Sequence, residues 1–104
     1  MTVGLLRIWL RLPENHSLKG KRQLVRSLTA RLQSRFNVSV AEVDDQDLWQ
    51  MTSLGISCVT NSERHAHEVL AAVVSYIRSQ RLDLELVDYR TEVIHALSGS
   101  RFQL

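Results

Sequence analysis

Six basic side chains, Lys19, Lys21, Arg22, Arg26, Arg31 and Arg35, fall between Ser17 and Ala41 with no acid among them. Lys19, Lys21, Arg22 and Arg26, together with Arg7 and Arg11 upstream, form a set able to neutralise several phosphates. Nucleic-acid binding of that kind weakens steeply with salt. The ordinary alternative is a solvated helix face, although such faces usually mix the two signs and place acids four residues from bases. The rest of the chain sharpens the contrast. Residues 1–40 carry a net +7 and residues 41–104 a net −5, within a total of +2. An asymmetry of this kind can attract polyanions or supply the two halves of a self-complementary contact.

A second set is aromatic. Trp9 lies between Arg7 and Arg11, and Tyr89, with Val87, falls in a later strand-like run. Aromatic side chains beside arginines on a bare sheet face suit stacking on RNA bases. They suit equally a homodimer interface made by Trp9, Tyr89 and Val87. The run LGISCVT lacks the basic and aromatic pattern of a ribonucleoprotein motif, so the chain is not that module.

Other chemistry has less support. The acidic turn of Glu42, Asp44, Asp45 and Asp47 offers oxygen ligands but lacks the glycine and distal glutamate of a calcium loop. His65 and His67 are two residues apart and point to different sides of a helix. His16 precedes a helix cap, and Cys58 reads as a small buried hydrophobe. There is no Ser/His/Asp grouping, glycine-rich phosphate loop or metal-ligand spacing. The expectation is a non-enzymatic protein with no cofactor, no metal and no small-molecule substrate.

The elements that must hold these residues are legible. A chain of 104 residues with 44% hydrophobic and 23% charged residues is one globular domain. Its apolar runs are too short for a transmembrane helix or a signal peptide. A single cysteine fits a reducing compartment, so a cytoplasmic protein is expected. Thr2 to Leu12 alternates, with Leu6, Ile8, Leu10 and Leu12 facing a core and Val3, Leu5, Arg7, Trp9 and Arg11 facing away. Pro13 ends this strand. Ser17 is an N-cap for a helix whose apolar stripe is Leu18, Leu24, Val25, Leu28, Leu32 and Phe36. Lys19, Arg22 and Arg26 lie opposite that stripe, and Lys21, Arg31 and Arg35 nearer its edges. Gly20 reads as tolerated in the first turn, and Asn37 as the left-handed residue after the helix.

Strands follow at Val38–Val43 and Trp49–Thr60, the latter with Leu54, Ile56 and Cys58 inward. Ser62 caps a second helix with Glu63 in its first turn, Arg78 in its last, and Ala66, Val69, Leu70, Val73, Val74 and Ile77 on its apolar face. A fourth strand runs from Leu82 to about Ile94, leaving 95–104 as a loosely held tail after a single domain at 1–94. The order β-α-β-β-α-β is that of an α+β, ferredoxin-like domain, a four-stranded antiparallel sheet with two helices on one face. The other face is left for solvent or a partner.

In this arrangement His16-Ser17-Leu18-Lys19 with Lys21-Arg22, the run from Arg35 to Glu42, Asp47, Trp49 and Leu54-Gly55 are recognisable. In order and spacing they resemble the YlxP-like bacterial family of unknown function (domain of unknown function 503). The resemblance spans about residues 1–94 and implies a ferredoxin-like fold without an established activity. Genes of that family often neighbour those of translation factors and a ribosome-assembly factor. The resemblance thus implies RNA or a ribosomal particle as partner, and the charge distribution makes the basic first helix the expected contact surface. It also marks Glu42 as a partner for that helix or for the surroundings of Trp49. The alternative expectation is a homodimeric protein-interaction domain that pairs through the open sheet face.

Overall fold

The first strand, β1 (Thr2–Arg11), alternates strictly, and its inward set of Leu6, Ile8 and Leu10 is fully buried. The computed structural model describes residues 1–45, 47–80, 84–99 and 101. After β1 come α1 (Leu18–Arg35), β2 (Ser39–Asp44), β3 (Met51–Thr60), α2 (Glu63–Ser79) and β4 (Glu85–His95). The sheet order is β2-β3-β1-β4, and every neighbouring pair is antiparallel. This is the ferredoxin-like α+β arrangement. Among the described residues no helix is long and apolar enough to cross a membrane.

Both helices start where the sequence places their caps. Ser17 accepts from the Gly20 amide and Ser62 from the His65 amide, and each satisfies a donor that the first turn leaves free. Glu63 and Arg78 sit at the ends of α2 that favour their charges. One core forms between helices and sheet. Leu28 and Leu32 of α1 and Ala66, Leu70, Val73, Val74 and Ile77 of α2 pack onto the inward residues of β1 and β3. Where the helix ends meet, Phe36 and Tyr76 make an edge-to-face contact at 5.9 Å, and the Arg35 guanidinium lies 4.6 Å over the Tyr76 ring.

Four details differ from expectation. Asn37 is not left-handed; α1 ends on an extended Phe36 (φ −131°), whose amide closes onto the Leu32 carbonyl. β3 begins at Met51, because the carbonyls of Asp45 and Leu48 are held by Lys21 and that of Trp49 by Asn15. β4 runs through His95, and Ala96 exchanges main-chain hydrogen bonds with Met1, so the last strand reaches further than Ile94. The expected strand start at Leu82 and the end of the tail lie outside the described residues.

The fourth detail concerns the faces of β4. Leu86 pairs with Leu10, but Asp88, not Val87, pairs with Trp9, so Val87 is an extra residue in a β-bulge. Beyond it every side chain of β4 changes sides relative to strict alternation. Tyr89 therefore pairs with Ile8 on the helix side, and Arg90 pairs with Arg7 on the open side.

Candidate functional site

The six expected phosphate contacts are dispersed over three environments. Lys19, Arg22 and Arg26 are exposed on α1, and their spacing of three and four residues places them in one stripe along the helix. None has an ion pair among the described residues. Arg31 and Arg35 on the same helix are engaged with α2, Arg31 by a 3.4 Å hydrogen bond to Gln80 and Arg35 over Tyr76. Arg7 and Arg11 lie on the opposite side of the sheet from α1 and are already neutralised. Arg7 pairs with Asp44 at 3.2 Å and Arg11 with Glu85 at 2.8 Å.

Lys21 is the clearest correction. It is 1% exposed and cannot reach a phosphate. Its ammonium is hydrogen-bonded to the carbonyl oxygens of Asp45 and Leu48 and ion-paired at 2.9 Å with Glu42 Oε2. Thr52 Oγ1 donates to the same carboxylate oxygen at 2.8 Å. Three acceptors match the three donors of an ammonium, which is what allows the charge to be buried. A second clamp lies alongside. The Asn15 side-chain amide donates to the carbonyls of Ser17 (2.8 Å) and Trp49, and Gly20 leaves room for it. A methyl group on Gly20 would collide with Asn15 Oδ1. Together these contacts staple the β2–β3 turn to the start of α1. Asp45 in that turn is left-handed (φ 64°), and Leu48 and Trp49 stay half exposed.

The expected pairing of Glu42 with the basic helix is thus found, with Lys21 as its partner. The acidic turn does not converge. Glu42 faces the helices, Asp44 binds Arg7 on the other side, and among the described residues no three His, Cys, Asp or Glu side chains are grouped to hold a metal.

The open sheet face carries Trp9, with Arg7 4.8 Å and Arg90 6.0 Å from its ring centroid. Tyr89 does not share this face. It lies under α2, where Arg78 covers its ring at 5.3 Å and where it borders a groove of about 400 Å³. The expected aromatic pair is therefore one aromatic and a second arginine, and the reason is the bulge at Val87. A broader trough of about 550 Å³ crosses the open face over Leu5, Gly55 and Ser57. Val43 folds over Gly55, where a Cβ would meet it at 2.8 Å. Sequence alternation did not reveal Arg90, because a bulge leaves no residue-type signature in this strand.

The fold and the stapled α1 entry coincide with the segments by which the sequence is recognisable. Residues 3–91 match the family model described as protein of unknown function (DUF503). The chain belongs to this family. It is also similar to the uncharacterized protein YlxP of Bacillus subtilis (strain 168), 41% identical over 63 residues, which cover 61% of this chain and 68% of that protein. Among solved structures it is similar to a de novo designed protein, Ferredog-Diesel, with a TM-score of 0.43 and 12% identity over 86% of this chain and 83% of the design. The family's recognisable His16–Arg22 segment has a structural use in this chain: Ser17 caps, Gly20 makes space, and Lys21 holds the turn.

Proposed function

We propose that this protein is a non-enzymatic RNA-binding module, acting on free RNA or a ribosomal particle through the outer surface of α1. The observation that carries this reading is the distribution of counter-ions. Arg7, Arg11 and Arg64 are each paired with a carboxylate, and Arg35 and Arg78 are stacked on tyrosines. Lys19, Arg22 and Arg26 have neither kind of partner among the described residues, on a helix that contains no acid. They span eight residues, about 10 Å of helix from first to last, a length that can follow a short run of phosphates.

Three contacts make a quantitative expectation. The logarithm of affinity should fall with that of salt with a slope of about −2 to −3, so moving from 50 to 200 mM salt weakens binding about 20- to 40-fold. Six contacts would weaken it by several hundredfold or more over the same range. A fluorescence titration against a structured RNA at both concentrations measures the slope. Arg22→Glu combined with Arg26→Glu should abolish binding while the circular dichroism spectrum stays unchanged. Absence of salt-sensitive binding at micromolar protein would overturn the proposal.

A further inference from the structure

We infer that the open sheet face is a contact surface for a second copy of this chain, forming a two-fold dimer with sheets inside and helices outside. The inference is independent of RNA binding by α1, since that helix lies on the far side of the sheet. It starts from the rows that the strand register defines.

At one end of the face Val59, Val3 and Ile94 are cross-strand neighbours, and Leu5 lies in the next row. Val59 is 65% exposed and Ile94 37%. A row of β-branched side chains across three strands makes a contiguous apolar patch, unlike scattered surface aliphatics. The face then grades into charge around Trp9. The pairs Arg7–Asp44 and Arg11–Glu85 lie there, and Arg90 sits between Asp88 and Glu92 at two-residue spacing.

The charge content selects the occupant. The face holds three arginines and four carboxylates, a slight negative balance that repels a polyanion. A partner with both signs on a matching surface is needed, and an isologous contact provides one by construction. A two-fold axis running along the strands lays apolar end on apolar end and keeps the charged rows together at the other end. Size agrees as well. Strands of 10, 6, 10 and 11 residues, about 4.8 Å apart, cover on the order of 600 Å², comparable with the roughly 800 Å² per partner of a standard interface. The edges are less suited to self-association. β4 carries a bulge and alternating charges, devices that block edge pairing, and β2 is only six residues long.

Sedimentation velocity from 1 to 100 μM tests the inference. The wild type should move from monomer to dimer in this range, and Val59→Glu should raise the dissociation constant at least tenfold. Because Val59 is mostly exposed, that substitution should leave the fold intact. A second readout uses the indole on the face itself. In Trp49→Phe, Trp9 is the remaining tryptophan, and its emission should shift to the blue as the protein is concentrated. A wild type that stays monomeric at 100 μM overturns the inference. So does a dimer that ignores Val59→Glu and leaves Trp9 emission unchanged, which places the contact elsewhere. A monomer whose Trp9 emission responds to added RNA also overturns it and assigns the face to nucleic acid.

Discussion

Replacing Lys21 by methionine is expected to destabilise the protein by about 3–5 kcal/mol, far more than changing any exposed base on the same helix. Methionine keeps the length and apolar stem of the side chain, so packing against the core changes little. What disappears is the ammonium that satisfies Glu42 and the carbonyls of Asp45 and Leu48. The side chain of Glu42 is only 20% exposed, and losing its partner leaves a largely desolvated carboxylate with Thr52 as its remaining donor. Breaking one member of such a pair costs more than the pair's net worth, because the stranded charge stays buried. Urea unfolding of the variant should show the midpoint lowered by about 2 M, given a slope of about 1–3 kcal/mol per M for a small domain.

The double variant Lys21→Met with Glu42→Gln separates the two parts of this effect. It removes the stranded charge but still leaves the turn carbonyls without a donor, so it should recover part of the loss. A coupling energy of about 1–3 kcal/mol between the two positions is expected for directly contacting charged groups. A double variant whose loss equals the sum of the single losses would show that Lys21 and Glu42 act separately, contrary to the 2.9 Å ion pair.

This lysine also shows what the sequence makes legible and what it hides. Helix periodicity correctly selects Leu28 and Leu32 as core residues, because apolar side chains have one good place to go. It assigns Lys21 by residue type to the stripe's edge. By position, however, Lys21 stands seven residues before Leu28 and eleven before Leu32, on the line of the helix that all three bury. A cation in the middle of an apolar stripe must find an acid, and Glu42 alternates inward with Val40 on β2. Those two facts together were the available signal. The bulge at Val87 had none. Alternation in β1 is unbroken and yields its faces without error, whereas in β4 the faces before and after the bulge obey opposite parity, and Tyr89 is assigned to the wrong one. The β-α-β-β-α-β order survives such local slips because it depends on element type alone. The candidate surfaces depend on the direction of single side chains, and there one inserted residue or one buried charge redistributes the site.

Gly20→Ala gives a prediction whose sign differs between local and tertiary reasoning. Helix propensity alone favours alanine over glycine by about 1 kcal/mol, so the variant would be expected to gain stability. In the folded protein the new methyl group would run into Asn15 Oδ1. Asn15 is 9% exposed, and its amide bridges the carbonyls of Ser17 and Trp49, so displacing it leaves two acceptors to be resatisfied. Each buried group left unpaired costs about 1–3 kcal/mol. Two such losses, less the gain in propensity, leave a net loss of about 1–5 kcal/mol from Gly20→Ala. The control is the same change made in an Asn15→Ala background, where the collision and the bridge are both absent. There Gly20→Ala should raise stability by up to about 1 kcal/mol, its propensity value. Urea midpoints of the four proteins decide the matter. Stabilisation in both backgrounds would mean that Gly20 is merely tolerated in the first turn; a reversal of sign would mean that the glycine is there because Asn15 ties the β2–β3 turn to the entry of the helix.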